Sequence, residues 1–176
     1  VIQGISSALS SQIVEVGGLL TTVLREGGVV FWCGNGGSAA DSQHMAGELM
    51  GRFVNDRRPL RSVALTTDTS VLTCIANDYD YGSVFERQVE ALVTEKDALV
   101  VLSTSGNSEN IVRALRAAKD KRATTIAMLG KGGGSAAGIA KNTIIVDSTS
   151  TARIQEAHIT IGHIVCELIE EGLGFD

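Results

Sequence analysis

The sequence predicts an α/β fold, with residues 1–176 forming one domain in which a five-stranded, mainly parallel sheet lies between two layers of helices. Short aliphatic runs alternate with amphipathic helical segments along the whole chain. The loops rich in glycine and serine follow the aliphatic runs, at the strand ends where parallel sheets bind ligands. Hydrophobic residues make up 44% of the chain and aromatic residues only 4%, so we expect an aliphatic core.

Each predicted element rests on the spacing of its apolar residues. Apolar positions at helical intervals indicate helices, and short Val/Ile/Leu runs that open into glycine loops indicate buried parallel strands. The predicted helices are 2–26, 38–50, 69–77, 82–92, 109–119 and 151–172, and the predicted strands are 29–33, 62–66, 98–102, 124–129 and 143–146. No linker or short-period repeat interrupts this order, which predicts a three-layer sandwich.

Charge and cysteine content limit the function classes. The formal net charge is −5 and no long basic tract occurs, which argues against an extended nucleic-acid or membrane surface. We therefore expect a small anionic ligand, bound by backbone amides, hydroxyls and helix N-termini. The three cysteines, Cys33, Cys74 and Cys166, are widely spaced, and no apolar stretch approaches a membrane span. These features predict a cytoplasmic protein.

The loop after the third predicted strand favours phosphate binding. It supplies four hydroxyls and a glycine just before a helix whose first amides are free. A purely structural capping loop, the alternative, needs only one such side chain. The four hydroxyls belong to Ser103, Thr104, Ser105 and Ser108.

The loop after the first predicted strand, Gly34 to Ala39, matches the pattern GxGxxA. A dinucleotide site also requires an acidic residue about 20 residues further on. The nearest candidate, Asp68, lies about 30 residues after Gly36. We therefore expect the glycines to let the backbone approach a sugar, with Ser38 capping the next helix. A tight turn without a ligand remains the alternative.

Two pairs of polar side chains have the spacing of metal ligands on helices. His44 and Glu48 are four residues apart, and Gln155 and His163 are eight apart, so each pair shares one helix face. Together they suit Zn²⁺ or a similar divalent ion. The alternative is a solvated His44–Glu48 pair and a core His163. His158 is expected at the surface or an interface, outside this set.

Four segments of the chain together resemble the sugar isomerase (SIS) domain family, and within it the phosphoheptose isomerases. They are CGNGGSAADSQHMAGELMGRF, IANDYDYGSVFERQVEAL, STSGNSENI and RIQEAHITIGHIVCELIE, which occur in this order over nearly the whole chain. The resemblance implies the SIS fold and conversion of sedoheptulose 7-phosphate to D-glycero-D-manno-heptose 7-phosphate, a precursor of the lipopolysaccharide core. It also implies one Zn²⁺ per subunit and a homotetramer, for which the apolar first helix is suited.

The resemblance also assigns roles to individual residues. It implies zinc ligation by His44, Glu48, Gln155 and His163. It implies substrate contacts from Asn35, Gly36, Gly37, Ser38, Glu48, Arg52, Asn77, Asp78, Ser103, Thr104, Ser105, Ser108 and Gln155. An isomerase of this kind needs a base at C1 and a group that returns a proton at C2, for which Glu48 and His163 are the candidates.

One position departs from the family pattern. Thr151-Ala152 stands where several relatives carry an acidic residue just before RIQE, so a secondary polar contact there is in question. Two other functions stay open at this point: a non-catalytic SIS scaffold of the replication initiator-associating type, and an isomerase of another phosphosugar. Scaffolds of that type as a rule lack the full set of metal ligands, so the set in this chain favours an enzyme.

Overall fold

A computed structural model describes residues 9–175 of the chain. Within these residues five strands alternate with seven α-helices, and one 3₁₀ turn, Tyr81–Ser83, lies between the third and fourth helices. The helices are α1 Ser10–Arg25, α2 Gly37–Met50, α3 Thr69–Asp78, α4 Glu86–Leu92, α5 Glu109–Asp120, α6 Gly134–Ala137 and α7 Thr151–Leu173. The strands are β1 Val30–Gly34, β2 Ser62–Ala64, β3 Ala98–Ser103, β4 Thr124–Leu129 and β5 Asn142–Ile145.

The strands form one sheet in the order β2-β1-β3-β4-β5, and every pairing is parallel. The predicted α/β sandwich with five strands is thus confirmed. The chain runs outward from β1 to β2 and then returns to the other side of β1 to form β3. This reversal creates a switch point, where the loops after β1 and β3 diverge and leave a crevice for a ligand.

Helices cover both faces of the sheet and form two separate apolar cores. On one face α1, α2 and α7 pack against strand residues such as Trp32 and Val100. On the other face α4 and α5, with Ile75 from α3, pack against strand residues such as Phe31 and Leu99. Because successive strand residues point to opposite faces, continuous apolar strands such as β3 serve both cores.

Glycines allow α1 and α7 to lie in close contact. A Cβ atom on Gly17 would come within 2.9 Å of the Leu168 side chain, and one on Gly172 within 2.8 Å of Thr21. Much of the apolar face of α1 is therefore buried within the chain itself. Residues 2–8 of the predicted first helix lie outside the described residues. No helix of residues 9–175 combines the length and hydropathy needed to cross a membrane.

The structure corrects several predicted boundaries. The predicted helix 82–92 is the 3₁₀ turn followed by the shorter α4, and the predicted strand 62–66 ends at Ala64. Helix α6 was not predicted, because its sequence GSAA follows a run of glycines with low helix propensity. Ser38 does not cap α2: Gly36 is the N-cap residue, with φ of 57°, and as a glycine it makes no side-chain cap.

Candidate active site

A polar cavity of about 300 Å³ lies at the switch point of the sheet. The loops after β1 and β3 and the beginnings of α2 and α7 line it. Its walls are formed by Asn35, Gly36, Gly37, Ser38, Leu102, Ser103, Thr104, Ser105, Ser108, Thr151 and Gln155. Nine of the predicted substrate contacts therefore surround one cavity, and the sequence had not singled out Leu102 or Thr151 as lining residues.

The hydroxyl loop after β3 is folded by two of its own side chains. The Ser103 hydroxyl accepts a hydrogen bond from the Gly106 amide at 3.1 Å, and the Ser105 hydroxyl accepts one from the Asn107 amide at 3.2 Å. Gly106 has a φ of 65°, and a Cβ atom there would collide with the Gly133 carbonyl. Only glycine fits this turn, which brings the hydroxyls to the N-terminus of α5.

The N-terminus of α5 faces the cavity without a side-chain cap. Ser108 is the N-cap residue, but its hydroxyl makes no capping hydrogen bond. The free amides of this first turn carry partial positive charge, which favours an anion. The hydroxyl loop and this helix end thus supply the hydrogen-bond donors that a phosphate group requires.

A reciprocal amide pair fixes Asn35 beside the cavity. The Asn35 side-chain nitrogen donates to Asn110 Oδ1 at 2.9 Å, and the Asn110 nitrogen donates back to Asn35 Oδ1 at 2.9 Å. The Tyr81 hydroxyl also donates to Asn35 Oδ1 at 3.1 Å. Sequence reasoning missed Asn110 and Tyr81, because contacts between residues this far apart in the chain leave no local pattern.

Three of the predicted metal ligands form a compact cluster. The Nε2 atom of His44 lies 3.0 Å from Glu48 Oε1 and 3.2 Å from Nε2 of His163. One donor atom from each of these residues falls within 4.8 Å of the others. The two histidines and the carboxylate are ligand types that Zn²⁺ accepts, and their donor atoms converge on one point. The cluster therefore fits a divalent metal ion.

The cluster depends on a close approach of α2 and α7. A Cβ atom on Gly162 would come within 2.3 Å of the Met45 sulfur, so the absence of a side chain at Gly162 lets the helices meet. His44 and His163 lie directly next to these two residues in the sequence. The Phe53 ring stacks on the His163 imidazole, with centroids 5.5 Å apart and an angle of 22° between the rings.

The fourth predicted ligand, Gln155, lies in the cavity wall. A Cβ atom on Gly37 would come within 2.5 Å of Gln155 Nε2, so its amide rests on the start of α2. Among residues 9–175 no hydrogen bond joins Gln155 to His44, Glu48 or His163. Gln155 nevertheless shares helix α7 with His163 and lies nearer to the cavity.

Arg52, Asn77 and Asp78 lie away from the cavity within one chain. Arg52 is exposed after α2, and its nearest hydrogen-bond acceptors are the carbonyls of its own loop. Asn77 is exposed at the end of α3 and donates to Asp78. Asp78 lines a separate and larger hollow of about 630 Å³ beside β2, with Cys74, Tyr79 and Arg87. The predicted substrate roles of Arg52, Asn77 and Asp78 stay predictions.

His158 is a core residue, so its expected surface or interface position is wrong. Its side chain is fully buried, and Nε2 lies 3.2 Å from the Leu129 carbonyl oxygen. Burial lowers the pKa of His158 to about 4, which the hydrogen bond to Leu129 only partly offsets. His158 is therefore a neutral, structural residue at ordinary pH.

The fold and this site define a doubly wound α/β domain that binds a small ligand at its switch point. The family model described as "SIS domain" matches residues 1–130. The phosphoheptose isomerase of Aquifex aeolicus is 56% identical over 162 residues, which cover 92% of this chain and 85% of the relative. The chain belongs to the SIS domain family and, within it, to the phosphoheptose isomerases.

Solved structures agree with this assignment. The phosphoheptose isomerase of Neisseria gonorrhoeae superposes with a TM-score of 0.91 at 42% identity, covering 96% of this chain and 90% of that one. The phosphoheptose isomerase of Francisella tularensis also gives a TM-score of 0.91, at 36% identity, covering 94% and 88% of the two chains.

Proposed function

We propose that this chain is an aldose–ketose isomerase that converts sedoheptulose 7-phosphate to D-glycero-D-manno-heptose 7-phosphate through a cis-enediolate, for heptose and lipopolysaccharide core precursors. One observation carries the proposal: helices α2 and α7 both run from the polar cavity to the His44, Glu48 and His163 cluster. Membership of the phosphoheptose isomerases supports the substrate class.

The spacing along α7 suits a long, open-chain substrate. Gln155, in the cavity wall, and His163, in the cluster, are eight residues apart, which is about 12 Å along a helix axis. A seven-carbon sugar phosphate can extend from the cavity toward the cluster. We infer that the phosphate binds the hydroxyl loop and the N-terminus of α5, and that C1 and C2 lie on the cluster side. Binding of the remote phosphate then orients the reacting carbons.

Glu48 is the proposed base that removes the proton from C1. Its Oε1 atom is engaged by His44 at 3.0 Å, and among the described residues no hydrogen bond involves Oε2. Oε2 is therefore available to accept a proton. His163 is the proposed partner that exchanges protons with the sugar oxygens or returns one to C2. Phe53 holds its imidazole by stacking and leaves Nε2 directed at the cluster.

The proposed cofactor is one Zn²⁺ per subunit, held by His44, Glu48 and His163. Gln155 is the proposed fourth ligand, and its side chain would have to extend from the cavity wall toward the cluster to reach the ion. When bound, the ion would polarise the substrate carbonyl and position the two reacting oxygens. A carboxylate that binds a cation is a weaker base. Proton removal by Glu48 therefore requires that one of its oxygens stay free of the ion.

We also propose that the chain acts as a cytoplasmic homotetramer, with the first helix in the interface. Val14 on α1 remains 58% exposed although the neighbouring apolar positions pack on α7. Association would cover this side chain. Gel filtration with light scattering tests the assembly, and a monomeric mass would exclude it.

The deciding experiment follows conversion of sedoheptulose 7-phosphate by the purified protein after chelation, with and without added Zn²⁺, using chromatographic separation of the two phosphates. We expect product to form and Zn²⁺ to restore activity after chelation. Parallel assays with phosphorylated pentoses and hexoses test which length of sugar the protein accepts. Turnover of these sugars without turnover of the heptose would exclude the proposed substrate, and no turnover of any would favour a non-catalytic role.

A further inference from the structure

A buried carboxylate connects α7 to the loop that follows α2. Glu170, on α7, is only 2% exposed, and its two oxygens accept four hydrogen bonds. Oε1 accepts from the Phe53 amide at 3.1 Å and from Arg57 Nε at 2.7 Å. Oε2 accepts from the amides of Val54 and Asn55 at 3.2 and 3.0 Å. One side chain thus holds three consecutive backbone amides and a guanidinium.

Arg57 extends this connection to α2 itself. Its side chain is fully buried, and its terminal nitrogens donate to the carbonyls of Glu48 at 2.8 Å and Leu49 at 2.9 Å. These carbonyls belong to the last turn of α2, which contains no basic residue of its own. Arg57 therefore caps the end of the helix that carries His44 and Glu48, and its positive charge complements the negative helix terminus.

The same connection reaches His163. Glu170 follows His163 by seven residues on α7, so both side chains lie on one helix face. The loop held by Glu170 also contains Phe53, whose ring stacks on the His163 imidazole. The Arg57–Glu170 pair is thus linked to both halves of the cluster. Arg57 binds the end of α2, the helix of His44 and Glu48. Glu170 binds the backbone of Phe53, whose ring stacks on His163.

A buried ion pair of this kind contributes little to stability compared with well-packed apolar residues, because both charges lose their hydration. The Glu170 oxygens are nevertheless fully matched by donors. Burial alone would raise the pKa of the Glu170 carboxyl, but the three amides and Arg57 lower it below its ordinary value. The carboxylate stays ionised. Its directional hydrogen bonds fix the position of the loop relative to α7 more than they raise the free energy of unfolding.

We propose that Arg57 and Glu170 are positioning residues that hold α2 and α7 at the separation at which His44, Glu48 and His163 bind one divalent ion. This inference deepens the proposed function and rests on it. Neither residue touches the cavity, so phosphate binding should not depend on them. Their loss should act on the cluster alone.

The test compares Glu170→Gln with Glu171→Gln, its exposed neighbour on α7, as the matched control. Glutamine keeps the shape of Glu170 but replaces one acceptor oxygen with a donor that faces backbone amides or Arg57. Loss of such a supporting hydrogen bond weakens metal binding by about 10- to 100-fold. We expect this rise in the Zn²⁺ Kd, measured by competition with a chromophoric chelator, for Glu170→Gln and no change for Glu171→Gln.

Steady-state kinetics provide the second readout. We expect Glu170→Gln to lower kcat at saturating Zn²⁺ while KM for the phosphosugar stays within about 3-fold of the wild-type value, because the cavity is untouched. Circular dichroism and thermal unfolding must show that the variant is folded, because a partly unfolded sample would also lower the apparent kcat without changing KM. If Glu170→Gln does not fold, Arg57→Lys provides the same test. Lysine keeps the positive charge but cannot bind both α2 carbonyls and Glu170 at the same time. We therefore expect the Zn²⁺ Kd of Arg57→Lys to rise as well.

The outcomes separate this inference from the proposed function. A folded Glu170→Gln or Arg57→Lys protein with an unchanged Zn²⁺ Kd and unchanged kcat would overturn the positioning role. A wild-type protein that binds Zn²⁺ but isomerises no phosphosugar would overturn the proposed function, and the Kd comparison would still decide the positioning role. A wild-type protein that binds no divalent ion would overturn the positioning role, whereas turnover of the heptose phosphate would still decide the proposed function.

Discussion

The Nε2 atoms of His44 and His163 lie 3.2 Å apart, although the two histidines are 119 positions apart in the chain. If both rings are neutral, one Nε2 must donate its proton to the other. A divalent ion between the rings would instead receive both lone pairs. The glycine at 162, against Met45, allows this approach, so the relationship depends on helix packing as much as on the histidines.

Replacing either histidine should remove the metal site and leave the fold intact. We expect His44→Asn and His163→Asn to weaken Zn²⁺ binding by more than the roughly 10- to 100-fold that loss of a supporting contact causes. Both side chains are partly exposed, so thermal unfolding of the chelated proteins should change little. Chelator competition measures the Kd, with Glu171→Gln as the control. Wild-type affinity in both variants would exclude the cluster as a metal site.

Glu48→Gln tests the proposed base. Glutamine keeps the size of the side chain and an oxygen ligand, but its amide cannot accept the C1 proton. General-base catalysis contributes about 10²- to 10⁴-fold, so we expect kcat to fall by that factor with KM nearly unchanged. Turnover at saturating Zn²⁺ gives both constants. Near-normal kcat would assign the base to another residue.

Ser105→Leu tests the anion loop. A leucine side chain would fill the space beside the hydroxyls and remove one of them, so we expect KM for the phosphosugar to rise roughly 10- to 100-fold, the loss of one or two hydrogen bonds to a charged group. Ser105→Ala removes the hydroxyl without filling the cavity, so it separates the effect of the lost hydrogen bond from the effect of the bulky side chain. An unchanged KM in both variants would place the phosphate elsewhere.

The sequence predicts those parts of the site whose residues lie close together in the chain. The four hydroxyls after β3 and the i, i+4 spacing of His44 and Glu48 are local, and they indicate the correct loop and helix face. The Asn35–Asn110 pair and the Arg57–Glu170 pair join residues 75 and 113 positions apart. Such contacts form only when the strand order brings α2, α5 and α7 together, so the local spacing of residues does not predict them.

The wrong predictions have local causes as well. Ser38 has the residue type of an N-cap, yet the loop turns at Gly36, where the positive φ admits glycine most readily. Ser38 therefore falls inside the first turn of α2 and is buried. His158 looked like a surface residue because its polarity was weighed without its neighbours; its helix position faces β4, where the Leu129 carbonyl gives it one partner.

Gly37→Ala should affect the cavity without affecting the fold. The new Cβ atom would lie 2.5 Å from Gln155 Nε2, so the flexible Gln155 amide must move. Gln155 is a predicted substrate contact, and loss of its hydrogen bond should raise KM about 5- to 10-fold.

Gly47→Ala is the matched control for this change, since a Cβ atom on Gly47 meets nothing within 4 Å and the residue lies in the same helix. We expect it to raise the free energy of unfolding by about 0.5 to 1 kcal/mol and to leave KM unchanged. Equal KM values for Gly37→Ala and the wild type would mean that the Gln155 amide does not contact the substrate.

His158 should make the stability of the protein depend on pH. Burial lowers its pKa from 6.5 to about 4. Between these two values the unfolded chain binds more protons than the folded chain, so the free energy of unfolding falls as the pH is lowered. The contribution of the neutral imidazole is complete above pH 6.5 and is lost as the pH approaches 4, a total of about 3 kcal/mol.

His158→Gln isolates this effect, because its amide can donate to the Leu129 carbonyl but does not titrate. Urea unfolding of both proteins, freed of metal by a chelator, gives the free energy of unfolding at about pH 7.5 and 4.5. We expect the wild type to lose about 2 to 3 kcal/mol more than His158→Gln over this interval. All other titrating groups occur in both proteins and cancel in the comparison. Equal losses would mean that folding does not lower the pKa of His158. The single carbonyl partner and the apolar surroundings of His158 argue against that outcome.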